Sequence, residues 1–155
     1  MKIKILIPVY NDFQSVSKLI SDINSTILNL KGEFSLILVN DASTDKTDID
    51  ISNVNKINSI KIINIKENQG HARCIATGLK YIFDQEEFDY VIPMDADGED
   101  RPEEIKSFIE HVDFENDKTI VGARVKRSES SFFKICYQIH KIITLTFTGR
   151  SIKFG

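Results

Sequence analysis

Ile3 to Val9 is a run of β-branched and aliphatic residues that closes in Pro8-Val9-Tyr10-Asn11-Asp12, a strand running into a turn. From Phe13 to Leu30 the apolar positions Val16, Leu19, Ile20, Ile23, Ile27 and Leu30 keep the spacing of an amphipathic helix, and Gly32 stops it. Phe34 to Val39 reads as a second strand, entering the polar turn Asn40-Asp41-Ala42-Ser43-Thr44-Asp45. Residues 46–59 are polar and weakly patterned, with room for a short helix, and Ile60 to Ile65 reads as a third strand. After Glu67-Asn68-Gln69-Gly70 comes a helix with Ala72, Ile75, Ala76, Leu79, Ile82 and Phe83 on one face. Tyr90 to Met94 reads as a fourth strand, ending at Asp95-Ala96-Asp97-Gly98. Pro102 suits the first turn of a further helix, Thr119 to Ala123 a fifth strand, and Phe132 to Phe147 a last, Ile-rich helix.

Alternating strands and helices predict an α/β fold: an open, mostly parallel sheet with helices on both faces. In such sheets ligands gather at the carboxyl ends of the strands. The polar clusters all follow strand ends, so they are expected to converge. The 155 residues fit a single domain spanning 1–155. With 41% hydrophobic and 28% charged residues, the composition is that of a folded globular chain. No run approaches the ~20 apolar residues of a membrane-spanning helix, and the N-terminus is too short and strand-like for a secretory signal. Cys74 and Cys136 lie in apolar, helix-like surroundings without metal or redox spacing, and both are expected to be buried thiols. Together these features place the protein in the cytoplasm.

The net charge of −3 is unevenly spread. From Lys118 onward there are eight Lys/Arg and one acid, Glu129. This bias points the C-terminal part at an anion: a diphosphate, a lipid phosphate or a membrane surface at the cytoplasmic face. The last helix pattern, with Lys134, His140 and Lys141 among its apolar residues, suits a membrane interface, but a core helix covering the sheet is the favoured expectation. Nothing in the sequence points to nucleic acid.

The strongest chemical signal is Met94-Asp95-Ala96-Asp97. An apolar strand delivers two carboxylates, one residue apart, and alternation along a strand lets both point the same way. Such hard oxygen donors suit Mg²⁺ or Mn²⁺ shared with substrate phosphates. Asp-x-Asp alone is weak, because turns are rich in aspartate. Asp41, after the second strand, suits either an Asx-turn or a hydrogen bond from a base or ribose. Asn68-Gln69-Gly70 leads into a helix start whose free amides and Arg73 suit phosphate, while His71 is a weaker candidate there. No Gly-x-Gly-x-x-Gly follows the first strand, and there is no P-loop lysine motif, nucleophile elbow or histidine metal spacing.

Ile7-Pro8-Val9-Tyr10-Asn11-Asp12, Val39-Asn40-Asp41-Ala42-Ser43-Thr44-Asp45, Asn68-Gln69-Gly70 with Ala72, and Met94-Asp95-Ala96-Asp97 resemble, in order and spacing, the successive motifs of family 2 glycosyltransferases. Pro102-Glu103, Val121-Gly122-Ala123-Arg124 and Gly149-Arg150-Ser151-Ile152-Lys153-Phe154-Gly155 look like the dolichyl- or polyprenyl-phosphate sugar synthases within that family. The resemblance implies a GT-A fold and inverting transfer of a sugar from a nucleoside diphosphate sugar (UDP or GDP) to a lipid phosphate or a saccharide hydroxyl, with Mg²⁺ or Mn²⁺. It implies that Pro8, Val9 and Tyr10 line the nucleobase pocket, and that Asp12, Asn68, Gly70, Arg73 and Ala96 lie along the donor site. Asp41 would hold base or ribose, Asp95 the ribose and metal, and Asp97 would be the main metal ligand. Glu99 stands where lipid-phosphate relatives often have Gln, and would add a third carboxylate; Arg124 would meet phosphates. Relatives continue past the position of Gly155, where their general base for hydroxyl acceptors lies, so the domain is expected to be incomplete there. The contrasting expectation is a module that binds a donor without turning it over.

Overall fold

A computed structural model describes residues 1–45, 48–112, 119–122 and 131–149. The chain forms two compact units, Met1–Ile120 and Val121–Gly155.

The first unit is built on four parallel strands: β1 (Lys2–Val9), β2 (Glu33–Asn40), β3 (Ile57–Asn64) and β4 (Tyr90–Pro93), in the spatial order β3-β2-β1-β4. β1 lies at the centre, so its residues from Ile3 to Ile7 are all buried apart from a slight exposure of Lys4. A continuous hydrophobic run is what a parallel strand covered on both faces requires. Alternate side chains sort to opposite faces. Ile3, Ile5, Ile7 and Val9 join Phe34, Leu36 and Leu38 of β2 beneath helix α1 (Phe13–Ile27), with Ile105 of helix α3 (Glu104–Glu110) on the same side. Leu6, Ile37 and Val39 face the other way, against Cys74 and Ile82 of helix α2 (His71–Gln85).

This division follows from handedness. The chain passes from β1 through α1 to β2 on one side of β1, and from β3 through α2 to β4 on the other. Right-handed crossovers running in opposite directions put their helices on opposite faces. The connections therefore diverge at the carboxyl ends of β1 and β4, and divergence opens a crevice there.

Local chemistry fixes the elements. Asp12 caps α1, its Oδ1 accepting from Ser15 N at 3.2 Å. Buried Asn24 of α1 holds the segment before β3, its Oδ1 accepting from Asn55 N and Lys56 N at 3.1 and 2.9 Å. Gly78 lets α2 lie close on the sheet, because a Cβ there would fall 2.3 Å from Leu6 Cδ1 and 2.8 Å from Val39 Cγ2. Beyond the end of α2, Glu86 receives buried Lys4 at 2.9 Å and also pairs with Lys61.

Several expectations are corrected. β3 begins at Ile57 rather than Ile60, and no helix forms among the described residues of 46–59. Pro102 precedes α3 in a turn instead of opening it. Residues 119–122 carry no strand; Ala123 lies outside the described residues. In the second unit helix α4 (Ser131–Thr148) matches the last helix pattern, but Ile135, Ile139, Ile142 and Phe147 are exposed, so the core-helix expectation does not hold for it. Cys74 is buried as expected, whereas Cys136 is exposed on α4. Among the described residues, no helix is long and apolar enough to cross a membrane.

Candidate active site

The loops that leave β1 and β2 are laced together by side chains. Asn11, at φ 52°, accepts at Oδ1 from Thr44 N at 2.7 Å, and its own N–H donates to Ser43 Oγ at 2.9 Å. Asparagine tolerates this left-handed backbone better than most residues, which suits it to the turn. Asp41 N extends the β-ladder by donating to Val9 O at 2.8 Å. The Asp41 carboxylate, 3% exposed, accepts from Gln69 N at 2.8 Å and Gly70 N at 2.9 Å. It thus clamps the loop that starts α2. Asn68 Nδ2 adds a long bond of 3.4 Å to Asp41 O. Both oxygens of Asp41 are engaged with the loop, where the resemblance gave it to base or ribose.

Gly70 sits at φ 82° as the helix cap of α2, with no side-chain cap, and the open start of the helix carries His71, Ala72 and Arg73. Arg73 reaches back to Gln69 Oε1 at 3.1 Å. His71 Nε2 lies 3.7 Å from Asp95 Oδ1.

Past β4 the chain folds into a tight acidic loop. Asp100 Oδ2 accepts from Asp95 N at 2.8 Å, and Asp97 Oδ1 accepts from Glu99 N at 2.9 Å. Gly98, at φ 86°, supplies the reversal. Burial raises the Asp95 carboxyl above its usual range; the facing His71 works against this, and Asp100, Asp97 and Glu99 add to it. Negative charge is therefore concentrated where desolvation already disfavours it, a situation that a cation relieves.

These pieces surround one cleft of about 190 Å³ in the crevice between β1 and β4. Pro8, Val9, Tyr10 and Asp12 form one wall, and Asp95, Ala96 and Asp97 the other, with His71 beside them. Tyr10 is half-exposed at the rim, its ring available for stacking. A wider hollow of about 790 Å³ lies between α1 and residues 45–52, but it is lined by Asp45, Asp48 and Asp50 without a base. An anionic diphosphate is repelled there.

Sequence reasoning thus anticipated seven of the residues around the smaller cleft. It gave His71 too little weight, because a histidine at a helix start has no signature until the fold brings β4 beside it. Asn68, Gly70 and Arg73 stand at the start of α2 but do not line the cleft; Glu99 is exposed on the loop behind Asp97. Arg124 lies outside the described residues.

The sequence pattern of Glycosyl transferase family 2 matches residues 4–153. The chain belongs to the family 2 glycosyltransferases. The undecaprenyl-phosphate 4-deoxy-4-formamido-L-arabinose transferase of Proteus mirabilis is 33% identical over 97% of this chain and 45% of its own length. The corresponding transferase of Photorhabdus laumondii is 32% identical, over 97% of this chain and 46% of its own. This glycosyltransferase chain therefore spans a little under half the length of the curated relatives that it matches. Among solved structures, S. aureus TarS superposes with a TM-score of 0.52 and 26% identity, over 71% of this chain and 19% of TarS. TarS 1-349 in complex with UDP-GlcNAc gives the same TM-score and identity, over 71% of this chain and 30% of that one. The fold is GT-A.

As a glycosyltransferase site, the acidic wall fits a divalent cation in its donor chemistry. Asp95 and Asp97 offer hard oxygens at the mouth of the cleft. Among the described residues no three His, Cys, Asp or Glu side chains form a closed metal cage. Two carboxylates completed by substrate oxygens are a common arrangement for Mg²⁺.

Proposed function

We propose that this chain holds the donor site of an enzyme that moves a sugar, with inversion, from a nucleoside diphosphate to a polyprenyl phosphate. The observation that carries the proposal is the single cleft uniting Pro8, Val9 and Tyr10 with Asp95 and Asp97. A nucleotide sugar has a flat base at one end and a doubly charged diphosphate near the other. The half-exposed Tyr10 ring suits the base, since aromatic side chains accept any base by stacking. Asp95 and Asp97 are the residues to hold Mg²⁺ or Mn²⁺, which when bound neutralises the diphosphate and lets it leave. The amides at the open start of α2 and the guanidinium of Arg73 favour the same phosphates. Arg124 is assigned to donor or acceptor phosphate from the family pattern.

The printed acceptor of the Proteus and Photorhabdus relatives, undecaprenyl phosphate, supports the lipid acceptor. Chemistry agrees: a phosphate monoester is already an anion and needs no base to attack the anomeric carbon. The UDP-GlcNAc complex of TarS favours a UDP-linked donor over a GDP-linked one.

Titration calorimetry with UDP and GDP, with and without Mn²⁺, tests the proposal. UDP is expected to bind at least about tenfold more tightly with Mn²⁺, a difference of ~1.4 kcal/mol. Asp97→Ala should remove that metal dependence. If the variant keeps it, the metal assignment fails, and if neither nucleotide binds, the donor-site reading fails. Transfer to a short polyprenyl phosphate separates the lipid acceptor from a saccharide. Nucleotide binding without transfer to either would leave a donor-binding module.

A further inference from the structure

Helix α4 is amphipathic, and its apolar side is the one left uncovered. Helical spacing aligns Ile135, Ile139 and Ile142 in one stripe, with Cys136, Ile143 and Phe147 alongside. All six are exposed, from 50% at Ile143 and 52% at Ile139 to 64% at Ile142 and 84% at Phe147. The same spacing aligns Tyr137, Lys141 and Thr144 on the opposite side, and these are only half-exposed. There Lys141 Nζ lies 5.3 Å from the centre of the Tyr137 ring. A helix in a soluble core shows the reverse: apolar residues covered, polar ones free.

Charge decides what occupies this face. Residues 130–155 contain Lys134, Lys141, Arg150, Lys153 and His140, and not one Asp or Glu. A second copy of the helix would bring like charges together. A protein core would cover the stripe without needing a purely basic flank. An anionic bilayer satisfies both features, taking the apolar stripe at the acyl boundary and the basic residues at the phosphates. No described helix is long and apolar enough to cross a membrane, so the mode is lying on the surface.

We propose that the apolar face of α4 docks on the surface of an anionic phospholipid bilayer. The choice of occupant draws on the lipid-linked acceptor proposed above, for which the enzyme must meet its substrate at a membrane.

The test is co-sedimentation of the 155-residue chain with vesicles of phosphatidylglycerol and phosphatidylcholine, against phosphatidylcholine alone. The parent is expected to pellet with the anionic vesicles and to be released by salt, since Coulomb attraction is screened. Ile135→Ser/Ile142→Ser/Phe147→Ser should lower binding by about tenfold or more, in line with the loss of buried apolar area. Calorimetry with UDP and Mn²⁺ on the same variant controls for folding of the first unit, and circular dichroism for retention of α4. The proposal is overturned if the parent ignores anionic vesicles, if the triple variant binds as the parent does, or if the parent is a dimer in solution that the triple variant converts to monomer. Vesicle binding without nucleotide binding would sink the donor-site reading and leave this one standing.

Discussion

Asp41 shows how a single carboxylate can be read two ways. In the sequence its place after a strand allows an Asx-turn or a ligand contact, and the fold reveals two backbone amides converging on it from a loop 28 and 29 residues away. An amide side chain cannot accept at its nitrogen, so Asp41→Asn leaves one buried N–H without a partner. A loss of roughly 1–3 kcal/mol is expected in urea melts, together with weakened nucleotide binding as the α2 entry loosens. Cys74 belongs to the same scale. Burial, then the nearby Asp41 charge, push its thiol up to about 11, while the backbone by Val9 pulls modestly the other way. At pH ~8 a thiol-specific disulfide reagent should therefore label exposed Cys136 first and reach Cys74 only on unfolding. Equal rates at both would contradict the packing of α2. The exposure of Cys136 was hidden in the sequence because apolar neighbours are as common on an uncovered stripe as in a core.

At the scale of the element, α2 is the part most sensitive to a single atom. Gly78→Val places carbon where Leu6 and Val39 already are, so the helix must lift from the sheet. Overpacking of this kind costs ~1–3 kcal/mol, and since His71 and Arg73 ride on the same helix, nucleotide affinity should fall with the melting temperature. Unchanged affinity in a destabilised variant would show that the start of α2 is not part of the donor site. At the other end, hydrogen bonds from Lys61 and Lys4 hold the Glu86 carboxyl below its ordinary value of 4.5. A depressed folded pKa contributes stability above the unfolded value and loses it as acid titrates the folded group. The advantage of the parent over Glu86→Ala, roughly 2–4 kcal/mol because Lys4 is left buried and unpaired, should thus be full above pH 4.5 and shrink below it. A gap that persists unchanged into stronger acid would exclude the pair as its source.

Elements with a strong period were legible in the sequence: α1, α2 and α4 through their apolar stripes, β1 and β2 through unbroken aliphatic runs. What escaped depends on partners far along the chain. β3 starts three residues early because β2 offers a ladder there, with an irregular step between Phe34 and Ser35 where Asn58 Oδ1 accepts from Phe34 N at 3.0 Å. Residues 119–122 have strand-like composition but gain no ladder, and composition alone cannot supply a neighbour.

At the scale of the molecule, the site could be anticipated because strand order and crossover handedness leave few places for a ligand. The carboxyl ends of β1 and β4 were legible as chemistry; that they face each other was not, since β4 joins β1 only after the chain has travelled through β2 and β3. The pairing of β1 with β4 has a further consequence. The floor of the crevice is main chain and core, shared by any sequence with this winding, whereas its walls are two short segments, 8–12 and 95–100, joined to the sheet by one strand each. Transplanting both segments together from a relative with a different nucleotide preference should transfer that preference at little expense in folding. Moving either segment alone should give a mismatched vessel that melts like the parent but holds neither nucleotide well.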